Sequence, residues 1–139
     1  MRNRRGLQLR FADGPGDHGE RGSAVAEFVM ITTLLIVLAF SIMQLALALH
    51  VRNTLTDAAA NGAHYGALAD RSPADAAGRT RTLITESLHG GFAKDVSVST
   101  TAIGGTQLVT VTVNTRVPLI GFLPNGWDLS VTSDAVRYG

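Results

Sequence analysis

Between Glu27 and His50 the sequence holds no charged residue, and its only polar side chains there are Thr32, Thr33, Ser41 and Gln44. Wound as a helix at 1.5 Å per residue, Phe28–Leu49 would extend roughly 33 Å, enough to cross a bilayer hydrocarbon core of about 30 Å. No face of this run is polar, so it lacks the amphipathic stripe of a helix that lies on a soluble core. A chain of 139 residues has room for one small domain, and so little interior in which to bury such a helix. The run therefore reads as a transmembrane helix within residues 23–50. A basic leader over residues 1–22 precedes it and a folded domain over residues 51–139 follows.

Orientation follows from the flanks. Arg2, Arg4, Arg5, Arg10 and Arg21 lie upstream, whereas Arg52 is the only Lys or Arg in the dozen residues after the run. The positive-inside rule then keeps the N-terminus in the cytoplasm and places the C-terminal domain outside, as a single-pass membrane protein. A secretory signal peptide is the competing reading, with Ala46-Leu47-Ala48 as an A-x-A cut that would release a soluble domain starting near Leu49. Against it, the apolar run exceeds the 7–15 residues usual for a signal h-region, and the basic leader is long. An uncleaved membrane protein whose small outer domain binds an envelope partner is a further alternative.

The residues at the membrane entry, Glu20-Arg21-Gly22-Ser23-Ala24-Val25-Ala26-Glu27-Phe28, carry the most information. A carboxylate stands directly against an apolar span, where a charge costs roughly 2.5–3.5 kcal/mol at the bilayer centre and less toward the interface. One reading is local: Glu27 sits at headgroup level and favours the positive end of the helix dipole. The spacing adds another. A cut after Gly22 would create an α-amine on Ser23 and make Glu27 the fifth residue of the shortened chain.

At this point the sequence resembles a type IV prepilin, in which a basic leader ending in glycine is removed by a membrane-embedded aspartyl peptidase on the cytoplasmic side. Gly22 matches the residue before the cut, Ser23 the new N-terminus, Glu27 the glutamate that follows, and Phe28–Leu49 the apolar helix. Three segments narrow the match: Ala24-Val25-Ala26-Glu27-Phe28, Val51-Arg52-Asn53-Thr54-Leu55-Thr56-Asp57-Ala58-Ala59 and Asn61-Gly62-Ala63-His64-Tyr65-Gly66-Ala67. They look like TadE-type pseudopilins, minor pilin-like proteins of the tight-adherence (Flp) pilus system. The resemblance spans about residues 20–70. It implies a structural or assembly role in a pilus or related secretion apparatus, with prepilin peptidase and other pilin or pseudopilin subunits as partners. It also implies that Glu27 meets the free amine of a neighbouring subunit. Two positions depart from the family pattern: Thr32-Thr33 stand where a proline is common early in the span, and Gln44 where an acidic residue is common late in it.

Downstream, Ala58, Ala59, Ala60, Ala63 and Ala67 predict that the helix continues to about residue 69. Ala58, Gly62 and Gly66 recur every four residues and form a ridge that permits close backbone approach, either to the protein's own sheet or to a partner helix. The own-sheet reading is the preferred one, because these positions lie beyond the expected bilayer core. Ser72-Pro73-Ala74-Asp75 reads as an N-cap, a proline at the first helical position and an acid in the first turn. The amphipathic helix that follows has Ala76, Ala77, Leu83, Ile84 and Leu88 as its apolar positions and stops at Gly90-Gly91.

Three runs alternate with period two. Val96, Val98 and Ala102 form the first, and Val109, Val111, Val113 and Val117 follow a Gly104-Gly105 turn. Trp127, Leu129, Val131 and Ala135 share one face of the third. They predict an antiparallel meander of about three strands with one buried face. Ile120, Gly121, Phe122 and Leu123, between Pro118 and Pro124, are read as a loop that caps the core. The fold class is thus α+β: a long N-terminal helix with a membrane half and an outer half, a second helix and a small sheet. Residues 1–22 show little periodicity and are expected to lack order.

Composition excludes other classes. Lys+Arg is 12 against 11 Asp+Glu, so no basic excess points to nucleic acid. Cysteine is absent, which excludes a disulfide framework, a thiolate zinc site and a cysteine nucleophile. Glu86 and His89, three apart on a helix, have no second pair to complete a metal site. No HExxH, GxSxG, Walker or GxGxxG pattern occurs. No enzyme, metal, cofactor or small-molecule substrate is expected.

Overall fold

The computed structural model describes residues 17–118 and 126–138. They form α1 (Asp17–Gly66), α2 (Pro73–Ser87), β1 (Asp95–Ile103), β2 (Thr106–Val117) and β3 (Trp127–Arg137), with a 3₁₀ turn at Gly90–Ala93. The fold is α+β, as the patterning predicts. The chain divides into two units at residue 40.

In the first unit the described residues belong to α1. The helix begins inside the leader, at Asp17, so the expectation of a leader without order is corrected for residues 17–22. Nucleation is the costly step of helix formation, and each residue added to an existing helix gains a hydrogen bond. Growing backward from the apolar run, the helix extends through Gly22 and Gly19 to Asp17. The rest of that expectation, over residues 1–16, lies outside the described residues.

In the second unit, α1 changes character at Val51. None of residues 19–50 is buried, whereas Val51, Leu55, Ala58, Ala59, Gly62, Ala63 and Gly66 all are. Their spacing of four, three, one, three, one and three is the stripe of an amphipathic helix. The helix ends at Gly66 rather than near 69, and Ala67 and Leu68 close it with N–H bonds to the Ala63 and Tyr65 carbonyls at 2.9 and 3.3 Å.

The start of α2 is a full capping box. The Ser72 hydroxyl accepts from the Asp75 N–H at 3.3 Å, and the Ser72 N–H donates to the Asp75 carboxylate at 2.8 Å. That backbone donor first, then the Ser72 hydroxyl, and last the charge of Arg71 hold the Asp75 carboxyl below its ordinary pKa of 3.8. A depressed carboxyl stabilises the fold above its unfolded value and loses that contribution as pH falls through its folded one. Acidification below pH 3.8 is therefore expected to loosen the first turn of α2, read as loss of amide protection at Ala76 and Ala77. At neutral pH, Ser72→Ala is expected to cost about 1 kcal/mol in thermal or denaturant unfolding.

The last turn of α2 closes with the Leu88 N–H on the Ile84 carbonyl at 2.8 Å, so the helix ends shortly before Gly90-Gly91. Those two glycines instead open the 3₁₀ turn, which buries Ala93.

The strands lie in the order β1-β2-β3, both pairs antiparallel. Gly104 and Gly105 have φ of 57° and 83°, the left-handed pair that a tight two-residue hairpin requires, and they set Ile103 opposite Thr106. Val96, Val109, Val111, Val113, Val117, Val131 and Ala135 form the buried face, against α1 and α2 residues such as Leu55, Ala63, Ala76 and Ile84. Two residues expected on this face are exposed. Ala102 lies near the hairpin tip, where every residue from Ser99 to Gln107 is open to solvent, and Trp127 is 57% exposed at the opposite end of the sheet. The expected core-capping stretch Ile120, Gly121, Phe122 and Leu123 lies outside the described residues.

Candidate functional site

The charged entry to the apolar run lies on regular helix. Gly22, Ser23 and Glu27 are all in α1 and all exposed. Ser23 and Glu27 are four residues apart and so share a helix face. A side chain at Gly22 would meet nothing within 4 Å, so packing does not demand glycine there. Among the described residues, Glu27 makes no ion pair.

Beyond Glu27 the apolar side chains point outward on every face. Phe28 is 69% exposed and Met30 73%, and the large apolar residues through Leu49 remain open. An 18-residue window of this helix has a mean hydropathy of 2.4, with none of it buried. It is one helix long and apolar enough to cross a membrane. Polar atoms inside the run are handled locally: the Thr33 hydroxyl donates to the Val29 carbonyl at 2.8 Å, a bond that hides a hydroxyl from hydrocarbon. Thr32-Thr33 does not interrupt the helix, which is continuous through the site where proline is common.

The ridge of Ala58, Gly62 and Gly66 lies within the second unit and is buried. A Cβ on Gly62 would run into Thr80 Oγ1 and would sit 3.0 Å from the Ala76 carbonyl oxygen. A Cβ on Gly66 would collide with the Ala76 methyl and lie 3.5 Å from Val109 Cγ1. The ridge thus receives α2 first and the sheet only at its edge, instead of the sheet alone. Thr80, absent from the predicted core, is fully buried and donates to the Ala76 carbonyl at 2.9 Å. The signal for it was present: Ala76 and Thr80 are one helical turn apart and complement a glycine ridge of the same spacing.

Elsewhere the chemistry is sparse. His89 caps the 3₁₀ turn by accepting the Gly90 N–H on Nδ1 at 3.0 Å, which occupies one of its two nitrogens. No group of three or more His, Cys, Asp or Glu among the described residues is arranged to hold a metal. The Arg116–Asp128 pair, at 2.8 Å, is a solvent-exposed cross-strand bridge, a type that adds little to stability.

Residues 22–64 match the family described as TadE-like protein. No curated protein and no solved structure matches the chain.

Proposed function

We propose that this TadE-like protein is a minor pseudopilin, a structural or assembly component of a Tad (Flp) type IV pilus or related secretion system. The match begins at Gly22, the residue before the inferred cut, and runs through the apolar helix into the ridge. The observation that carries the reading is the pairing of that match with Glu27, an exposed carboxylate at the edge of an unburied apolar helix, four residues after the Ser23 that cleavage would make N-terminal.

The mechanism has three steps. Arg2, Arg4, Arg5, Arg10 and Arg21 hold the leader in the cytoplasm while Phe28–Leu49 spans the membrane. Prepilin peptidase then cleaves between Gly22 and Ser23. Glycine weakens the helix at this bond by about 1 kcal/mol relative to alanine, which eases its local opening for the peptidase. Cleavage creates an α-amine one helical turn from Glu27, and Glu27 pairs with the amine of an adjacent subunit. Opposite charges at a low-dielectric boundary attract more strongly than in water. The apolar helices then associate laterally through packing and a few polar contacts, because lipid offers no hydrophobic gain for their contact. The domain after residue 50 lies outside the cytoplasm.

Intact-mass measurement of the protein from its native membrane tests the proposal. A chain beginning at Ser23 is expected. Met1 at the N-terminus would make it an uncleaved single-pass protein, and a start near Leu49 would make it a secreted domain. Gly22→Leu is expected to leave the full-length mass even with the peptidase present, because a bulky side chain then fills the subsite that accepts glycine. Unchanged maturation of that variant would count against a cut at this bond.

A further inference from the structure

The sequence holds a single tryptophan, and the fold leaves it open instead of placing it in the core: Trp127 is 57% exposed. It is the first residue of β3, paired with the buried Val117 at the end of β2. Beside it is an apolar groove lined by Leu45, Ala48, Leu49, Arg52, Trp127 and Leu129. One wall of the groove is therefore the last turns of the apolar helix run, and the other is the end of the sheet. The exposed surfaces of Leu45 and Leu49 continue the apolar surface of that run, and Arg52 is the first cation after it.

We infer that this end of the sheet is a lipid-docking surface, with Trp127 seated at the outer membrane interface and phospholipid occupying the groove. The inference rests on the membrane-spanning reading above. Tryptophan favours the headgroup boundary because its ring is apolar and its indole N–H still finds a polar partner. Arg52 supplies the matching charge: its aliphatic stem lies along the groove while the guanidinium reaches the lipid phosphate, which it can bind with two N–H donors. The groove wall is continuous with the lipid-facing helix surface, so an acyl chain beside Leu45 can pass along it without crossing a polar strip.

The test uses the full chain reconstituted into phosphatidylglycerol–phosphatidylethanolamine vesicles, with Trp127 as the only tryptophan reporter. Flotation with the vesicles comes first; a chain that stays with the soluble fraction overturns the membrane reading and this inference with it. For the floating chain, emission is expected to shift to shorter wavelength. Lipid brominated close to the glycerol should remove most of it, lipid brominated near the methyl end should remove less, and aqueous iodide should have little access. Arg52→Gln is expected to reduce quenching by brominated phosphatidylglycerol while leaving flotation intact, and quenching at the parental level would remove Arg52 from the lipid contact. A floating chain whose tryptophan emits as in water and is quenched by iodide would overturn the inference alone. So would a shift that appears only at high protein-to-lipid ratio, which would assign the groove to a second copy of the chain.

Discussion

Replacing Gly62 with leucine is expected to prevent the residue 41–139 unit from folding. Thr80 Oγ1 and the Ala76 carbonyl already fill the space a side chain would need, and one of these is backbone held in α2. Overpacking a core by a few carbons costs typically about 1–3 kcal/mol, and a leucine forced against a neighbouring helix exceeds that range. Such a loss removes a large share of the roughly 5–15 kcal/mol that holds a small domain together. Gly62→Ala is the graded version. Its helix propensity gain of about 1 kcal/mol offsets part of the clash, leaving a net loss of about 1 kcal/mol, or roughly 4–8 °C in a thermal melt. Adding Thr80→Ala should recover part of that loss, because it removes the hydroxyl that Gly62 accommodates. Gly78→Ala is the control: it lies in α2 with nothing within 4 Å of a Cβ and is expected to stabilise by about 0.5–1 kcal/mol. Equal melting of the Gly62→Leu and parent chains would show that α1 and α2 do not pack as described.

Glu27→Ala should leave membrane insertion unchanged or slightly improved, since it removes a charge from the edge of the span. Co-recovery with partner pilins is expected to fall by at least roughly tenfold, because close charge pairs at interfaces couple by about 1.5 kcal/mol or more and 1.4 kcal/mol is tenfold. Glu27→Gln separates charge from shape: it keeps the size and a hydrogen-bonding carbonyl yet should behave like alanine if pairing with the amine drives recruitment. Quantitative pull-down from detergent-solubilised membranes, normalised to the amount inserted, measures both. Recovery of either variant at the parental level would remove the electrostatic step from the mechanism.

Much of this fold is legible in the sequence because it rests on local rules. The capping box at Ser72–Asp75 is readable from four residues, and the hairpin from two adjacent glycines, since each satisfies a backbone requirement within its own turn. Valines alternating through β2 reveal its inner face for the same reason. What the residues do not reveal is which element covers which. The periodicity of Ala58, Gly62 and Gly66 marks a close approach but names no partner, and α2 takes the position assigned to the sheet because Ala76 and Thr80 match the ridge in spacing. Trp127 shows the converse. Alternation puts it on the inner face, yet at this end of the strand the neighbouring helix leaves an open groove instead of covering the ring. The entry site is legible as a pattern of charge and spacing, but the partner charge proposed for Glu27 would arise only on cleavage after Gly22.

The strand order has a kinetic consequence. β1 pairs with β2 and β2 with β3, so strands adjacent in the chain are adjacent in the sheet, and α2 precedes them all. A polypeptide that emerges N-terminus first can assemble such a head progressively, every new segment docking on one already delivered. Sequential pairing of this kind keeps the strand-to-strand contacts short in the chain, which favours rapid formation of the sheet.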